Sequence, residues 1–235
     1  MSERVLIGSG RTAKVYLSEG YAYKVFDSNH PLIWIHKEVS LQRTLVEKTK
    51  LPISAYELMK DKSIRMSYFN GQTLAWHILT KKYKNGIRDL IEIGKNIHKY
   101  KQIGLPNAHG FISDRITRSK VSRQIKTKCL VMLASIEKGH QLCHFDLHFE
   151  NILYDGENHF IIDWMNAKEA NPVLDVARSY VILRQYAYRM SQTYLRKVKE
   201  LYNPLELEKA IYVMAVDRFI ETGYDQSIES ITQLI

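Results

Sequence analysis

At 235 residues, the chain is long enough to bury a substantial core, either as one domain or as two lobes. Its apolar fraction of 45% and charged fraction of 25% are ordinary for a globular protein, and two cysteines are too few for a disulfide framework. No apolar run approaches the roughly 20 residues of a membrane span, and charges and glycines stand where a signal peptide needs an apolar stretch. The composition therefore predicts a soluble, cytoplasmic protein.

The formal net charge of +9 indicates an anionic partner, but the charge is unevenly distributed. Residues 172–235 carry equal numbers of basic and acidic side chains, so the excess lies upstream. Much of it stands on a run that we interpret as the solvated face of a helix: Arg115, Arg118, Lys120, Arg123, Lys126 and Lys128. Because no aromatic residues interleave this run, a nucleic-acid groove is a disfavoured alternative.

Two apolar strands flank a glycine turn at the start of the chain. Residues 5–7 lead into Gly8, Ser9 and Gly10, and the second strand follows from Val15. Glycines in such a turn let the backbone approach a phosphate closely and offer its amides as donors, and a plain hairpin is the alternative. No helix is predicted directly after the turn, which disfavours a dinucleotide-binding fold.

The next strand, residues 21–26, carries Lys24 among strong strand formers. On composition alone, a lysine at such a position most often faces solvent. Turn chemistry that ends at Pro31 then predicts a helix running to about Lys48.

One face of this helix is predicted to combine apolar side chains with the carboxylate of Glu38. Burying a carboxylate alone is costly, so Glu38 needs a partner, and Lys24 is the natural candidate. Glu47 is the weaker alternative acid for Lys24. The residues expected to share the face are Trp34, Glu38, Leu41 and Leu45.

Two further strands at residues 53–59 and 63–69 complete a small lobe of five strands and one helix. From Leu74 onward the pattern is mainly helical. His98, at the end of the first long helix, is interpreted as structural. The buried face of that helix is predicted to be Ile87, Leu90, Ile91, Gly94 and Ile97. A second helix is predicted over residues 113–138, with Val121, Ile125, Cys129 and Met132 buried.

A β-hairpin is predicted where two apolar runs, residues 152–154 and 160–162, flank five residues of turn chemistry. If the inner ends of the two runs pair, the antiparallel register places Asn151 opposite Asp163. An amide oxygen and a carboxylate at one edge suit Mg²⁺, which prefers oxygen ligands. Asp146, in the preceding loop, offers a proton acceptor. These features together favour phosphoryl transfer.

A zinc site is the competing interpretation of the same stretch, from His140, Cys143, His144 and His148. Zinc fingers space their ligand pairs differently, and apolar residues between these positions fit a buried strand and loop. We therefore interpret His144 as an anchor of the loop rather than as a metal ligand.

At these residues, HFDLHFENIL at 144–153 and IDW at 162–164, the sequence resembles the aminoglycoside phosphotransferase and choline kinase family. These enzymes are small-molecule relatives of protein kinases. The resemblance implies that Asp146 is the catalytic base and that Asn151 and Asp163 are magnesium ligands. Phe145 stands where the family usually has glycine.

The resemblance also assigns roles in the N-terminal segment. The turn of Gly8, Ser9 and Gly10 is similar to the glycine-rich loop of kinases. Lys24, paired with Glu38, would hold the α- and β-phosphates. Residues 66–71 would be the hinge, where the backbone of two residues would hydrogen-bond adenine, and a plain linker is the alternative there. The two hinge residues are Met66 and Tyr68.

We therefore expect an α+β, two-lobed, protein-kinase-like fold, with residues 1–70 as a β-rich ATP-binding lobe and residues 71–235 as a helical catalytic lobe. The expected activity is ATP- and Mg²⁺-dependent phosphorylation of a hydroxyl group of a small molecule, with an acceptor of the aminoglycoside, choline or sugar type. No membrane partner is expected, and nucleic acid is disfavoured as a partner. A protein serine/threonine kinase and a pseudokinase scaffold are the alternatives. Only twelve positions separate Asp163 from Asp175, too few for a protein-kinase activation segment. The sequence predicts neither the acceptor nor the oligomeric state.

The sequence does not identify the pocket that binds the acceptor. Polycationic acceptors such as aminoglycosides favour an acidic pocket, whereas the C-terminal helices are charge-balanced. Asp217, Glu221 and Asp225 are candidates to line a pocket, but their periodicity does not fix which way they face.

Overall fold

The structure, a computed structural model, describes residues 4–10, 12–223 and 225. The chain divides into two compact units: Met1–Leu74 with Ile152–Met165, and Ala75–Asn151 with Asn166–Ile235. Sequence analysis had put residues 152–165 in the C-terminal lobe, whereas their contacts group them with the N-terminal unit. The functional division into residues 1–70 and 71–235 stays a prediction.

The first segment of the chain contributes β1 (Val5–Ser9), β2 (Ala13–Ser18), β3 (Tyr21–Phe26), α1 (Leu32–Lys48), β4 (Tyr56–Leu58), β5 (Ile64–Ser67) and β6 (Gln72–Thr73). Then follow α2 (Leu74–Thr80), α3 (Gly86–Ile97), α4 (Ala108–Arg118), α5 (Arg123–Ala134) and β7 (Gln141–Cys143). The remaining elements are β8 (Ile152–Tyr154), β9 (His159–Ile161), β10 (Lys168–Ala170), α6 (Pro172–Tyr186), α7 (Tyr188–Lys199) and α8 (Pro204–Glu221).

The first unit is built on an antiparallel five-stranded sheet in the order β1-β2-β3-β5-β4. Lys24 lies on the central strand β3, paired with Val15 and Ile64. Helix α1 covers the sheet by burying Ile35 and Val39 against Ile64. The central strand therefore holds Lys24 at a fixed place beside the helix.

Helix α1 begins and ends close to the predicted residues, but the predicted face was partly wrong. The buried residues are Ile35, Glu38, Val39, Gln42 and Leu45. Trp34 lies one position before this stripe, about 100° around the helix from Ile35. It is 48% exposed, and the Lys37 ammonium lies 4.4 Å from the centre of its ring.

The predicted hairpin is formed by β8 and β9, which join β6 in a separate three-stranded sheet. Its register differs by one residue from the prediction, since Tyr154 pairs with His159 and Ile152 with Ile161. The inference that the register sets Asn151 opposite Asp163 is therefore wrong.

The shift arises because the turn contains residues 155–158 only. The carboxylate of Asp155 accepts the amide hydrogens of Glu157 and Asn158, at 2.8 and 2.7 Å, which tightens the reversal. His159 then extends the strand and stacks on Tyr154, with ring centroids 4.6 Å apart.

The second unit is mainly helical, and α6 and α8 pack against each other in its core. Asn171 caps α6 by accepting the Val173 amide hydrogen, and Pro172 begins the helix as predicted. Asn203 caps α8 in the same way. No helix in the described part of the chain combines the length and the apolarity needed to cross a bilayer.

The single helix predicted over residues 113–138 is two helices, α4 and α5. Helix α4 ends at Ser119, whose hydroxyl donates to the Ile116 carbonyl. Ser122 then caps α5 by accepting the Ile125 amide hydrogen. Serine hydroxyls compete with the helix backbone for hydrogen bonds. Ser119 and Ser122 therefore end one helix and begin the next, within a stretch whose apolar residues had the spacing of a single helix.

Substitution of Gly139, which has a φ of 62°, should destabilise the second unit. A Cβ there would lie 2.5 Å from the Asn171 nitrogen, and the left-handed backbone disfavours a side chain. We expect Gly139→Ala to lower the free energy of unfolding by at least about 2 kcal/mol in urea denaturation. The matched control is Gly110→Ala on the exposed side of α4, where no atom lies within 4 Å of the new Cβ. That change should raise the unfolding free energy by about 0.5–1 kcal/mol. Equal effects of the two substitutions would contradict this account.

Candidate active site

Of the predicted glycine turn, Gly8 and Ser9 lie in β1, paired with β2, and only Gly10 lies between the strands, where its amide donates to the Ala13 carbonyl at 2.8 Å. Neither of the two glycines is demanded by packing. An added Cβ would lie 3.6 Å from Val15 Cβ at position 8 and 3.4 Å from the Ala13 oxygen at position 10, and neither glycine has a left-handed backbone. Ser9 ends β1 and is exposed. Arg11 lies outside the described residues.

Lys24 and Glu38 form the ion pair that the sequence predicted, with 2.6 Å between Nζ and Oε1. The side chain of Glu38 is only 8% exposed, whereas that of Lys24 is 20% exposed. The carboxylate is therefore neutralised where it is buried, and the ammonium keeps one side open. Glu47, the alternative acid, is exposed on α1.

Asp163 lies in the same unit, shortly after β9, with a φ of 62°. Burial raises the pKa of Tyr56, and the negative charges of Glu38 and Asp163 raise it further. Both carboxylates therefore lie within electrostatic range of one buried phenol. Met66 lies on β5, and Tyr68 follows that strand, with its hydroxyl 3.3 Å from Asn70 Oδ1.

In the second unit, residues 144–151 form a loop that we call the 144–151 loop. Its backbone is anchored by Asp175 of α6, which accepts the Phe145 amide hydrogen at 2.6 Å and the His144 amide hydrogen at 3.2 Å. His98 Nε2 lies 2.8 Å from the same carboxylate. Phe145 adopts a φ of 59°, uncommon for a bulky residue, and the short bond to Asp175 holds it there.

Burial alone would raise the pKa of Asp175, which is 2% exposed. The hydrogen bond and charge of His98, the charge of His144 and the Phe145 amide outweigh burial and hold that pKa below its usual value. Asp175 is thus a buried carboxylate kept ionised by its partners. Its place in the first turn of α6 is typical of a structural acid, and the two amides that it binds lie about thirty residues earlier in the chain.

Asp146 is the candidate base that this loop presents. Asn151 donates through Nδ2 to the Asp146 carbonyl oxygen at 2.9 Å and to its carboxylate at 3.2 Å. The Asp146 amide donates to His144 Nδ1 at 3.2 Å, so His144 serves as the predicted anchor. His148 Nε2 lies 3.9 Å from the carboxylate, and burial lowers the pKa of His148 despite the nearby charge of Asp146. The side chain of Asp146 is 18% exposed and can accept a proton.

The zinc interpretation is not supported by the geometry. Within the described ranges, the one group of side chains close enough to share a metal ion is His98, Cys143 and Asp175. Asp175 is already engaged by two amides and His98, and burial raises the pKa of the Cys143 thiol, which disfavours a thiolate ligand. His140 is exposed and lies 3.6 Å from Glu169 instead.

A cluster of ion pairs close to Asp146 was missed by sequence analysis. Arg115, assigned to a solvated helix face, contacts Asp217 at 3.2 Å and Glu221 at 3.6 Å. Arg178 of α6 contacts the same two acids. Asp217 and Glu221 therefore face inward, whereas Asp225 accepts a hydrogen bond from Gln185. One signal was available in the sequence: Arg178 lies on a helix whose neighbouring residues are largely apolar, and an arginine in such a place needs an acidic partner.

The β-rich N-terminal sheet, the helical C-terminal part and the anchored 144–151 loop define a protein-kinase-like phosphotransferase. Residues 64–201, more than half of the chain, match the model of the phosphotransferase enzyme family, and the chain belongs to that family. The protein is therefore a phosphotransferase. No curated protein matches the sequence.

Several aminoglycoside phosphotransferases of known structure have the same fold. APH(4)-Ia has a TM-score of 0.72 at 13% identity, over 99% of this chain and 91% of that one. The ADP-bound APH(2'')-Ib has a TM-score of 0.66 at 17% identity, over 98% and 92%. The streptomycin-ATP complex of APH(2'')-IIa has a TM-score of 0.60 at 18% identity, over 98% and 91%. At these identities the likeness establishes the fold, and the expected α+β, kinase-like class is confirmed.

Replacement of Asp175 by asparagine should remove a stabilisation that depends on pH. The pKa of this group is lower in the folded chain than the unfolded value of about 3.9, so its contribution is complete above about pH 5 and is lost as the pH falls below about 4. We expect Asp175→Asn to lower the free energy of unfolding by about 2–3 kcal/mol at pH 7, with a smaller difference near pH 3. Urea denaturation across this range measures it. Asp114→Asn, at an exposed position of α4, is the control and should change the free energy little. A difference that stays constant down to pH 3 would refute the proposed ionised anchor.

Proposed function

We propose that the protein uses Mg²⁺-ATP to phosphorylate a hydroxyl group of a small molecule, with Asp146 as the catalytic base. The observation that carries this proposal is the carboxylate of Asp146, oriented by Asn151 on a loop whose backbone Asp175 anchors. A fixed carboxylate takes up the acceptor proton as the acceptor oxygen attacks the γ-phosphorus. Membership of the phosphotransferase enzyme family supports the reaction class.

Residues of the first unit are proposed to bind the nucleotide. Lys24, with its carboxylate partner Glu38, would contact the α- and β-phosphates. The segment of Gly8, Ser9 and Gly10 would let its backbone approach the phosphates closely. Its two glycines are not required by the fold, which supports a requirement imposed by a ligand. The backbone of residues 66 and 68 would bind adenine. Similar structures solved with ADP and with ATP support an adenine nucleotide as donor.

Asn151 and Asp163 are proposed to hold Mg²⁺. The donor set fits this ion, because it consists of an amide oxygen and a carboxylate and leaves positions for water and phosphate oxygens. Asn151 uses its amide nitrogen to hold Asp146, so its oxygen is the atom that remains for a cation. When bound, the ion would supply positive charge to neutralise the phosphates.

The short segment after Asp163 argues against a protein kinase. Strand β10 and helix α6 begin directly after the Asp163 segment, at Lys168 and Pro172. No room remains there for a segment that would form a peptide platform. A pseudokinase scaffold is disfavoured because Lys24, Asp146, Asn151 and Asp163 are all present.

Asp146→Asn should separate catalysis from nucleotide binding. The amide keeps the shape of the side chain but cannot accept the proton, so we expect ATP turnover to fall by about 10²–10⁴-fold. Stabilisation by Mg²⁺-ATP in a thermal-shift experiment should persist. Coupled ADP release measures turnover, with hydrolysis to water as the basal reaction. Glu150→Gln, an exposed acid on the same loop, is the control and should retain wild-type turnover. Full activity of Asp146→Asn would exclude Asp146 as the base.

Lys24→Met should have two effects that a second substitution separates. The substitution leaves Glu38 buried without its partner and should lower the free energy of unfolding by up to about 3 kcal/mol. This value is the low end of the range for broken buried ion pairs, because Lys24 is partly exposed. The substitution should also abolish the thermal shift with Mg²⁺-ATP. The double variant Lys24→Met/Glu38→Met should recover most of the stability in urea denaturation but not the nucleotide shift. If the double variant regains nucleotide binding, Lys24 has only a structural role.

A further inference from the structure

The second unit contains a small cleft whose lining the reaction proposed above does not explain. It is formed by α4, α6, α8 and residues 166–168, and we call it the α4–α6–α8 cleft. Its volume is about 30 Å³, room for about two waters or one compact group. Its charged lining consists of Arg115, Lys168, Arg178, Asp217 and Glu221.

This cleft lies beside the proposed catalytic base. Phe145, the residue before Asp146, lines its wall. Burial alone would lower the pKa of Arg218, but the charges of Glu221 and Asp146 raise it, so this guanidinium lies within range of both the cleft acid and the base. A molecule bound here would therefore have Asp146 close to it.

The two acids of the cleft are already neutralised by arginines. Asp217 lies 3.2 Å from Arg115 and 3.3 Å from Arg178. Glu221 contacts Arg178, and it lies 3.0 Å from Arg218. Burial raises the pKa of Asp217, although the charges of Arg178 and Arg115 act to lower it. An amine entering the cleft would find no carboxylate that is not already paired with a guanidinium.

Lys168 carries a positive charge that is not paired with an acid of the cleft. Its ammonium lies 4.4 Å from the centre of the Phe111 ring and donates to the Asn166 carbonyl at 3.3 Å. Among the residues that the structure describes, none offers it a carboxylate within 4.0 Å. Burial lowers the pKa of Lys168, and the charge of Arg115 lowers it further, despite the acids nearby. An anion placed against Lys168 and Arg115 would relieve this unfavourable arrangement.

Two buried polar atoms of the lining also lack a hydrogen-bond partner within the described part of the chain. They are Asp217 Oδ1, an acceptor, and Arg178 Nε, a donor. Such atoms are costly when they are buried without partners. The protein alone does not satisfy the polar groups of this lining, which fits a ligand that brings hydroxyl groups and a negative charge.

We propose that the α4–α6–α8 cleft binds the anionic group of the phosphate acceptor, and that this acceptor is a small hydroxylated anion whose carboxylate or phosphate lies against Lys168 and Arg115. This inference rests on the function proposed above. In the reaction, the acceptor hydroxyl oxygen forms a bond to the γ-phosphorus while its proton passes to Asp146. The bond between the γ-phosphorus and the bridging oxygen breaks, and ADP leaves.

A matched three-carbon series tests the acceptor class with the full-length protein and Mg²⁺-ATP. Glycerate and glycerol phosphate are the carboxylate and phosphate forms, glycerol is the neutral form, and aminopropanediol is the amine. ADP release above hydrolysis, and binding by isothermal titration, are both measured. We expect one or both anions to bind and to raise ADP release, and their comparison identifies the preferred anion. Tighter binding of glycerol, aminopropanediol or the aminoglycoside hygromycin B than of both anions would overturn the proposal, as would no binding of either anion at millimolar concentration.

Variants of Lys168 test the site itself. We expect Lys168→Met to weaken anion binding about tenfold, the usual effect of losing one charge-assisted hydrogen bond, while the thermal shift with Mg²⁺-ATP stays unchanged. Lys168→Arg should restore most of the affinity, which shows that the charge and not the packing is responsible. Lys199→Met, exposed on α7, is the control and should bind as the wild type does. Equal anion affinity in Lys168→Met and the wild type would refute the site.

The two proposals fail differently in these experiments. If Asp146→Asn keeps full ATP turnover, the proposed function fails whatever the cleft binds. If Asp146→Asn loses turnover but a neutral or cationic acceptor is phosphorylated in preference to the anions, the base is supported and only the acceptor class is wrong.

Discussion

One buried carboxylate determines the conformation on which the proposed chemistry depends. Asp175 accepts the amide hydrogens of two successive residues, His144 and Phe145, and is itself held ionised by His98. Two donors on adjacent residues converge on one acceptor only if the chain turns sharply, which explains why Phe145 keeps a φ of 59°. The following residue, Asp146, is thereby presented with its carboxylate partly exposed. The position of this candidate base is set by two backbone amides that donate to the Asp175 side chain on α6, so it does not depend on the mobility of long side chains.

Each candidate reactive group is held by a partner that leaves one side of it available. Asn151 binds Asp146 through its nitrogen and retains its oxygen. Glu38 neutralises Lys24 from within the core and leaves the ammonium partly exposed. Both arrangements orient a charged or polar group without consuming it. Fixed groups of this kind suit phosphoryl transfer, where catalysis consists largely of positioning and of charge stabilisation.

Local sequence patterns predicted most of the helices and strands and the Lys24–Glu38 ion pair. They failed where a side chain formed hydrogen bonds with the backbone in place of the regular structure. The bounds of α1 and the Lys24–Glu38 pair followed from helix-start chemistry and from the cost of burying an acid. The hairpin register did not follow, because Asp155 binds two amides and shortens the turn by a residue. Ser119 and Ser122 divided a predicted helix for a similar reason. The partners of Arg115 lie about a hundred residues away in the chain, and no local period reports such a distance.

The ion pairs of the α4–α6–α8 cleft separate what the fold implies from what the acceptor requires. Similar structures bind polycationic aminoglycosides such as streptomycin, and a likeness of fold alone would carry that acceptor class over to this chain. A polycation needs carboxylates that are free to pair with it, whereas Asp217 and Glu221 already contact Arg115 and Arg178. Freeing either acid would remove one of the two carboxylate partners that Arg115 and Arg178 each have in a largely buried site, and that cost opposes amine binding. The charge that is not balanced within the cleft is positive, on Lys168. A fold shared with aminoglycoside phosphotransferases is therefore compatible with the proposed acceptor, which carries a negative instead of a positive charge.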